Sequence, residues 1–71
     1  MPKEELQKVK EAIAINEEPY DTNSGSTEKF IIEYLCEEYE MTESEAIDVL
    51  EQAYIEGHCY RPDGKRYRVV S

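Results

Sequence analysis

The chain has 71 residues and a formal charge of −9, with 17 acidic against 8 basic side chains. A single domain of this size buries about 60 % of its unfolded surface, so its core must be thin. Its apolar stretches fall far short of the ~20 residues a membrane span needs, and its charged start, Met1-Pro2-Lys3-Glu4-Glu5, is unlike a signal peptide. The sequence therefore reads as soluble and intracellular, cytoplasmic or, in a eukaryote, nuclear.

The first element, "PKEELQKVKEAIAIN", places Leu6, Val9, Ala12 and Ile13 at steps of three and four. That spacing predicts a helix ending near Asn16 with one narrow apolar stripe, which persists only by docking on something else. Residues 17–26 follow. They hold Pro19, Asp21, Asn23, Ser24, Gly25 and Ser26, the composition of a loop. Tyr20 is its natural anchor, and without an anchor the loop is expected to move.

A second helix is predicted after Ser26 or Thr27, either of which can cap it, with Glu28 placed well against the helix dipole. Phe30, Ile31, Tyr34, Leu35, Cys36 and Tyr39 form its inner face. The helix breaks at Glu40-Met41. Thr42-Glu43-Ser44-Glu45 then has the form of a capping box, one of the more specific local signals in the chain. The third helix turns Ala46, Ile47, Leu50, Ala53 and Tyr54 inward and stops at Gly57, the residue type that takes a left-handed C-terminal position most cheaply.

After Gly57 the period changes from 3.6 to 2. "HCYR" and "KRYRVV" flank Pro62-Asp63-Gly64, a turn whose proline presets φ and whose glycine accepts a positive one. Tyr67 and Val69 share one face of the second strand; Arg66, Arg68 and Val70 share the other. The order helix (1–16), loop (17–26), helix-turn-helix (27–57) and hairpin (58–70) predicts an α+β domain. It is a winged helix-turn-helix, three helices followed by a two-stranded β-hairpin wing.

The stretch "AIDVLEQAYIEGHCYRPDGKRYRVV" resembles the C-terminal winged-helix domain of minichromosome maintenance helicases. The elements that match are Gly57, Tyr60, Pro62, Gly64 and the strand Tyr67 to Val70, although Arg61 stands where that family commonly has an acidic residue. "EGHCY" is also similar to the winged helix of the replication protein A middle subunit. These resemblances imply a winged-helix fold and a place in DNA replication or transcription. They do not choose between binding DNA and binding protein, since winged helices do both.

The residues weigh the alternatives. Catalysis would need a nucleophile, a base and an orienting group gathered in a pocket. The single histidine, His58, has no such company in the sequence, and the pairs Glu4-Glu5, Glu17-Glu18 and Glu37-Glu38 read as solvated surface. Cys36 and Cys59, 23 positions apart, lack metal-ligand spacing and read as small buried apolar side chains. No enzyme activity, cofactor or metal is expected.

Nucleic acid is a second class. The third helix would present Glu43, Glu45, Asp48, Glu51 and Gln52 to a phosphate-lined groove, where its carboxylates are repelled. The wing differs: Arg61, Lys65, Arg66 and Arg68, with Tyr60, could make a weak, salt-sensitive nucleic-acid contact. The plainer alternative is that these cations pair with the acidic body. Protein recognition is the third class and meets no such conflict. Glu43, Glu45, Asp48, Glu51 and Gln52 beside a basic wing form a bipolar surface that suits a charged partner of the replication or transcription machinery.

Overall fold

The computed structural model describes residues 2–70; Met1 and Ser71, the outer bounds of the expected domain, lie outside the described residues. Its elements are α1 (Lys3–Ala14), β1 (Ser26–Thr27), α2 (Glu28–Tyr39), α3 (Glu43–Ile55), β2 (Cys59–Tyr60) and β3 (Arg66–Val69). This is the α+β layout expected of a winged helix. The strand count differs: the sheet has three antiparallel strands in the order β1-β3-β2. Ser26 and Thr27, expected to close a loop and cap a helix, also pair with Tyr67 and Arg66. Two residues are too few to show a period of 2, so the strand left no trace in the sequence pattern.

The helices form where their stripes and caps direct. Val9, Ala12 and Ile13 of α1 meet Ile31 and Leu35 of α2 and Ala46, Leu50 and Ala53 of α3, with Cys59 and Tyr67 from the sheet closing one core. Each helix is too short to stand alone in water, so this shared burial is what holds the three together. The Thr27 hydroxyl accepts from Phe30 N at 3.2 Å and starts α2. The Thr42–Glu45 capping box is present, with Thr42 Oγ1 accepting from Glu45 N at 3.2 Å. At the far end of α3, Gly57 N donates to Tyr54 O and His58 N to Ala53 O, the paired bonds of a Schellman stop around a left-handed glycine.

Three inward assignments change. Ile47 is half-buried outside the core, and Val49 packs against the core instead. Phe30 is half-buried and stacks on Tyr34 rather than joining the core, while Ile32 packs against the core instead. Tyr54 is 47 % exposed, because the core side of its turn is already filled and its ring meets Tyr67 edge-on.

The loop is the larger correction. Tyr20 is fully exposed and anchors nothing. The anchor is Arg68, which is buried beneath residues 17–24. Its Nη1 donates to Asp21 O at 2.6 Å and to Ser24 Oγ; its Nη2 lies 3.3 Å from Glu18 O and 3.4 Å from the Glu17 carboxylate. The same carboxylate accepts from Val69 N at 3.2 Å. Val70 N donates to His58 on the β2 side, so Val69 N faces the β1 side, where Glu17 supplies the acceptor that a longer β1 would have supplied.

Glycine is required once here. Gly25 N bonds Asn16 O at 2.8 Å to close the loop, and Gly25 sits at φ 122° with its Cα side pressed on Tyr67 O. Ser26 finishes the seam, its buried hydroxyl shared between Ala12 O and Ile13 O at the end of α1.

Candidate interaction surface

The wing takes its shape from the turn residues. Asp63 Oδ1 accepts from Lys65 N at 2.8 Å and Arg66 N at 2.9 Å, and these two backbone donors hold the Asp63 carboxyl below the usual carboxylate range. Asp63 is thus occupied in folding the turn. Arg61 lies with its guanidinium carbon 5.0 Å from the centre of the Tyr67 ring and donates to Gly64 O across the turn. Arg66 Nη1 donates to Asn23 O at 2.6 Å. Lys65 and Tyr60 are exposed.

The five wing residues singled out in the sequence therefore divide. Arg61, Lys65, Arg66 and Tyr60 remain at the surface. Arg68 does not: at 7 % exposure it belongs to the interior seam and is not available to a nucleic acid. The alternation of strand residues placed it on a solvated face, but the loop covers that face.

On α3, Glu43, Glu45, Asp48, Glu51 and Gln52 are all exposed, and no lysine or arginine occurs between Glu43 and Ile55. They are not equivalent. Glu45 is engaged by its cap, its carboxylate meeting Thr42 Oγ1 at 3.1 Å. Gln52 Nε2 donates to Glu56 at 3.0 Å, and that bond is the main reason the Glu56 carboxyl lies low; Glu56 also stands 3.6 Å from His58 Nε2. Glu43, Asp48 and Glu51 form the rest of the outward acidic row.

A groove of about 780 Å³ lies beside this row, and sequence reasoning did not find it. Ile32 and Cys36 of α2 make its floor. Arg61 and Lys65 of the wing stand at one end, and Glu43 stands at the start of α3. The signal was present in "FIIEYLCEEY": apolar residues at 30–32 and 34–36 cover more of the helix circumference than one buried stripe requires. A smaller hollow between α3 and the wing is lined by Ile47, Tyr54 and Ile55 and shares Glu28 and Arg61 with the groove.

Among the described residues no cluster of three or more His, Cys, Asp or Glu could hold a metal ion, and no helix is long and apolar enough to cross a membrane. Comparison with protein families, curated proteins and solved structures found no match to this chain.

Proposed function

We propose that the domain is a non-enzymatic recognition module that binds a protein partner, in keeping with the replication or transcription setting its sequence resemblances imply. One observation carries this reading. The helix that a DNA-binding winged helix would lay in the major groove is faced here by Glu43, Glu45, Asp48 and Glu51, with no cation along its length. Docking it against phosphates would desolvate carboxylates beside like charge, with no counterion release to offset the cost. The burial of Arg68 takes a fourth cation away from the wing and weakens the nucleic-acid alternative further.

The test is an NMR titration of labelled protein with short single- and double-stranded DNA at low salt. The reading expects a flat titration. Shifts centred on Arg61, Lys65 and Arg66 that fade with added salt, and vanish in Arg61→Glu with Lys65→Glu, would overturn it in favour of wing-led DNA binding.

A further inference from the structure

The groove has a direction. Along α2, residues 28 and 29, then 32 and 33, then 36 and 37 line it on successive turns. The first turn lies by the wing, because β1 runs directly into α2 and pairs with β3. Lys29, Arg61 and Lys65 therefore gather at that end, with Glu28 among them. The last turn lies toward α3, whose first residue is Glu43, so Glu33, Glu37 and Glu43 occupy the middle and far end. From Lys29 to Glu37 the helix rises about 12 Å, two turns of any helix laid alongside. Between the charged ends, the floor of Ile32 and Cys36 is apolar.

We propose that this groove seats an amphipathic helix of a protein partner in one orientation, parallel to α2. The acidic N-terminal turn of that helix meets Lys29, Arg61 and Lys65. Its apolar stripe covers Ile32 and Cys36, and its basic C-terminal turn meets Glu33, Glu37 and Glu43. The inference rests on the protein-recognition reading and specifies the partner's chemistry.

Charge complementarity selects the occupant. An acidic start and a basic end are the distribution that stabilises an isolated helix through its own dipole, so a segment of this kind is already inclined to be helical before it binds. A nucleic acid, negative throughout, would be attracted at the wing end and repelled along the rest. Arg61 is preset for the role by its seat on Tyr67 and its bond to Gly64 O, so little side-chain freedom is lost when it engages.

The experiment selects from a displayed library of helical peptides of random charge pattern against the intact protein, then measures enriched and charge-reversed peptides by fluorescence anisotropy. Enriched sequences should carry acid in the first turn, apolar residues at three- and four-residue steps and base in the last turn. Lys65→Glu with Glu37→Lys, both at exposed positions, should weaken the enriched peptide at least about tenfold, the scale of close interfacial charge pairs, and should favour its charge-reversed version. At physiological salt, where charges outside the contact are largely screened, Asp48→Lys with Glu51→Lys on the outer row of α3 should change affinity much less than the groove variant does.

Peptides of the opposite polarity would overturn the inference. So would peptides sensitive to the α3 variant and indifferent to the groove variant; these would leave protein recognition standing on the outer face of α3. Failure to enrich any peptide would overturn the inference, while the protein-recognition reading would still stand or fall on its own titration.

Discussion

Arg68→Ala should destabilise the protein strongly. The wild-type side chain is 9 % exposed and faces the Glu17 carboxylate, itself 21 % exposed, at 3.4 Å. It also reaches Asp21 O, Glu18 O and Ser24 Oγ. Removing one partner of a buried, hydrogen-bonded ion pair costs about 3–5 kcal/mol. Glu18 and Asp21 belong to exposed residues whose carbonyls can take water once the guanidinium has gone, which reduces the expected loss to about 2–4 kcal/mol. At ~0.05–0.15 kcal/mol per residue, a domain of this length has only about 4–11 kcal/mol in total. The melting temperature should fall by about 10–25 °C.

Urea and thermal unfolding followed by circular dichroism give the size of the loss. Hydrogen exchange gives its place, because the Ser24 and Gly25 amides, bonded to Asp21 O and Asn16 O, should lose protection before the helices do. Arg68→Lys keeps the charge but not the planar fork, and should recover less than half of the loss. A cost for Arg68→Ala below about 0.5 kcal/mol, the scatter of ordinary surface substitutions, would refute the claim that this residue ties the loop down.

Two other perturbations read the sheet directly. Burial pushes the Cys59 thiol up to about 11, whereas the unfolded chain ionises it near ~8.5. Between those values the unfolded state holds fewer protons than the folded one. The contribution is therefore intact below about pH 8.5 and is lost as pH rises toward 11, amounting to up to about 2–3 kcal/mol. Urea midpoints at about pH 8 and pH 10.5 should fall more steeply in the native protein than in Cys59→Ala; equal slopes would show that this thiol is not desolvated. Gly25→Ala would set a Cβ 2.2 Å from Tyr67 O at φ 122°, and should cost more than about 3 kcal/mol or prevent folding. Gly64→Ala, at φ 74° with open space around it, should cost only about 1–2 kcal/mol. The reverse order in unfolding measurements would contradict the close approach of β1 to β3.

What could be read from the sequence was local. The stripe of Val9, Ala12 and Ile13, the Thr42–Glu45 box, the stop at Gly57 and the Pro62-Asp63-Gly64 turn all act within a few residues, and each appears in the fold as its neighbours dictate. The loop anchor and the strand that were missed depend on residues about 40–50 positions apart. Arg68 alternates like an outward strand residue, and only the arrival of Glu17, Glu18, Asp21 and Ser24 from the other end of the chain makes its site interior. Ser26 and Thr27 become a strand only because Tyr67 and Arg66 come alongside. The candidate site divides in the same way. The acidic row of α3 follows from one helix period, whereas the groove needs α2, the start of α3 and the wing in their final positions. Glu45 was legible twice, as cap and as surface charge, and its engagement in the cap makes Asp48 and Glu51 the better probes of the outer face.

The position of β3 in the middle of the sheet has a consequence for how the protein is made. Both of its neighbours are two-residue strands, and neither pairs with the other. Until Arg66 to Val69 leave the ribosome, β1 and β2 have nothing to bond to, and the chain around Glu17 to Ser24 has no guanidinium to gather on. Before these residues emerge, the edge of the sheet and the loop above it stay unfinished. A nonsense mutation between Gly57 and Arg66 would therefore keep all three helices but remove β3, leaving the loop and the short edge strands without the partner they bond to.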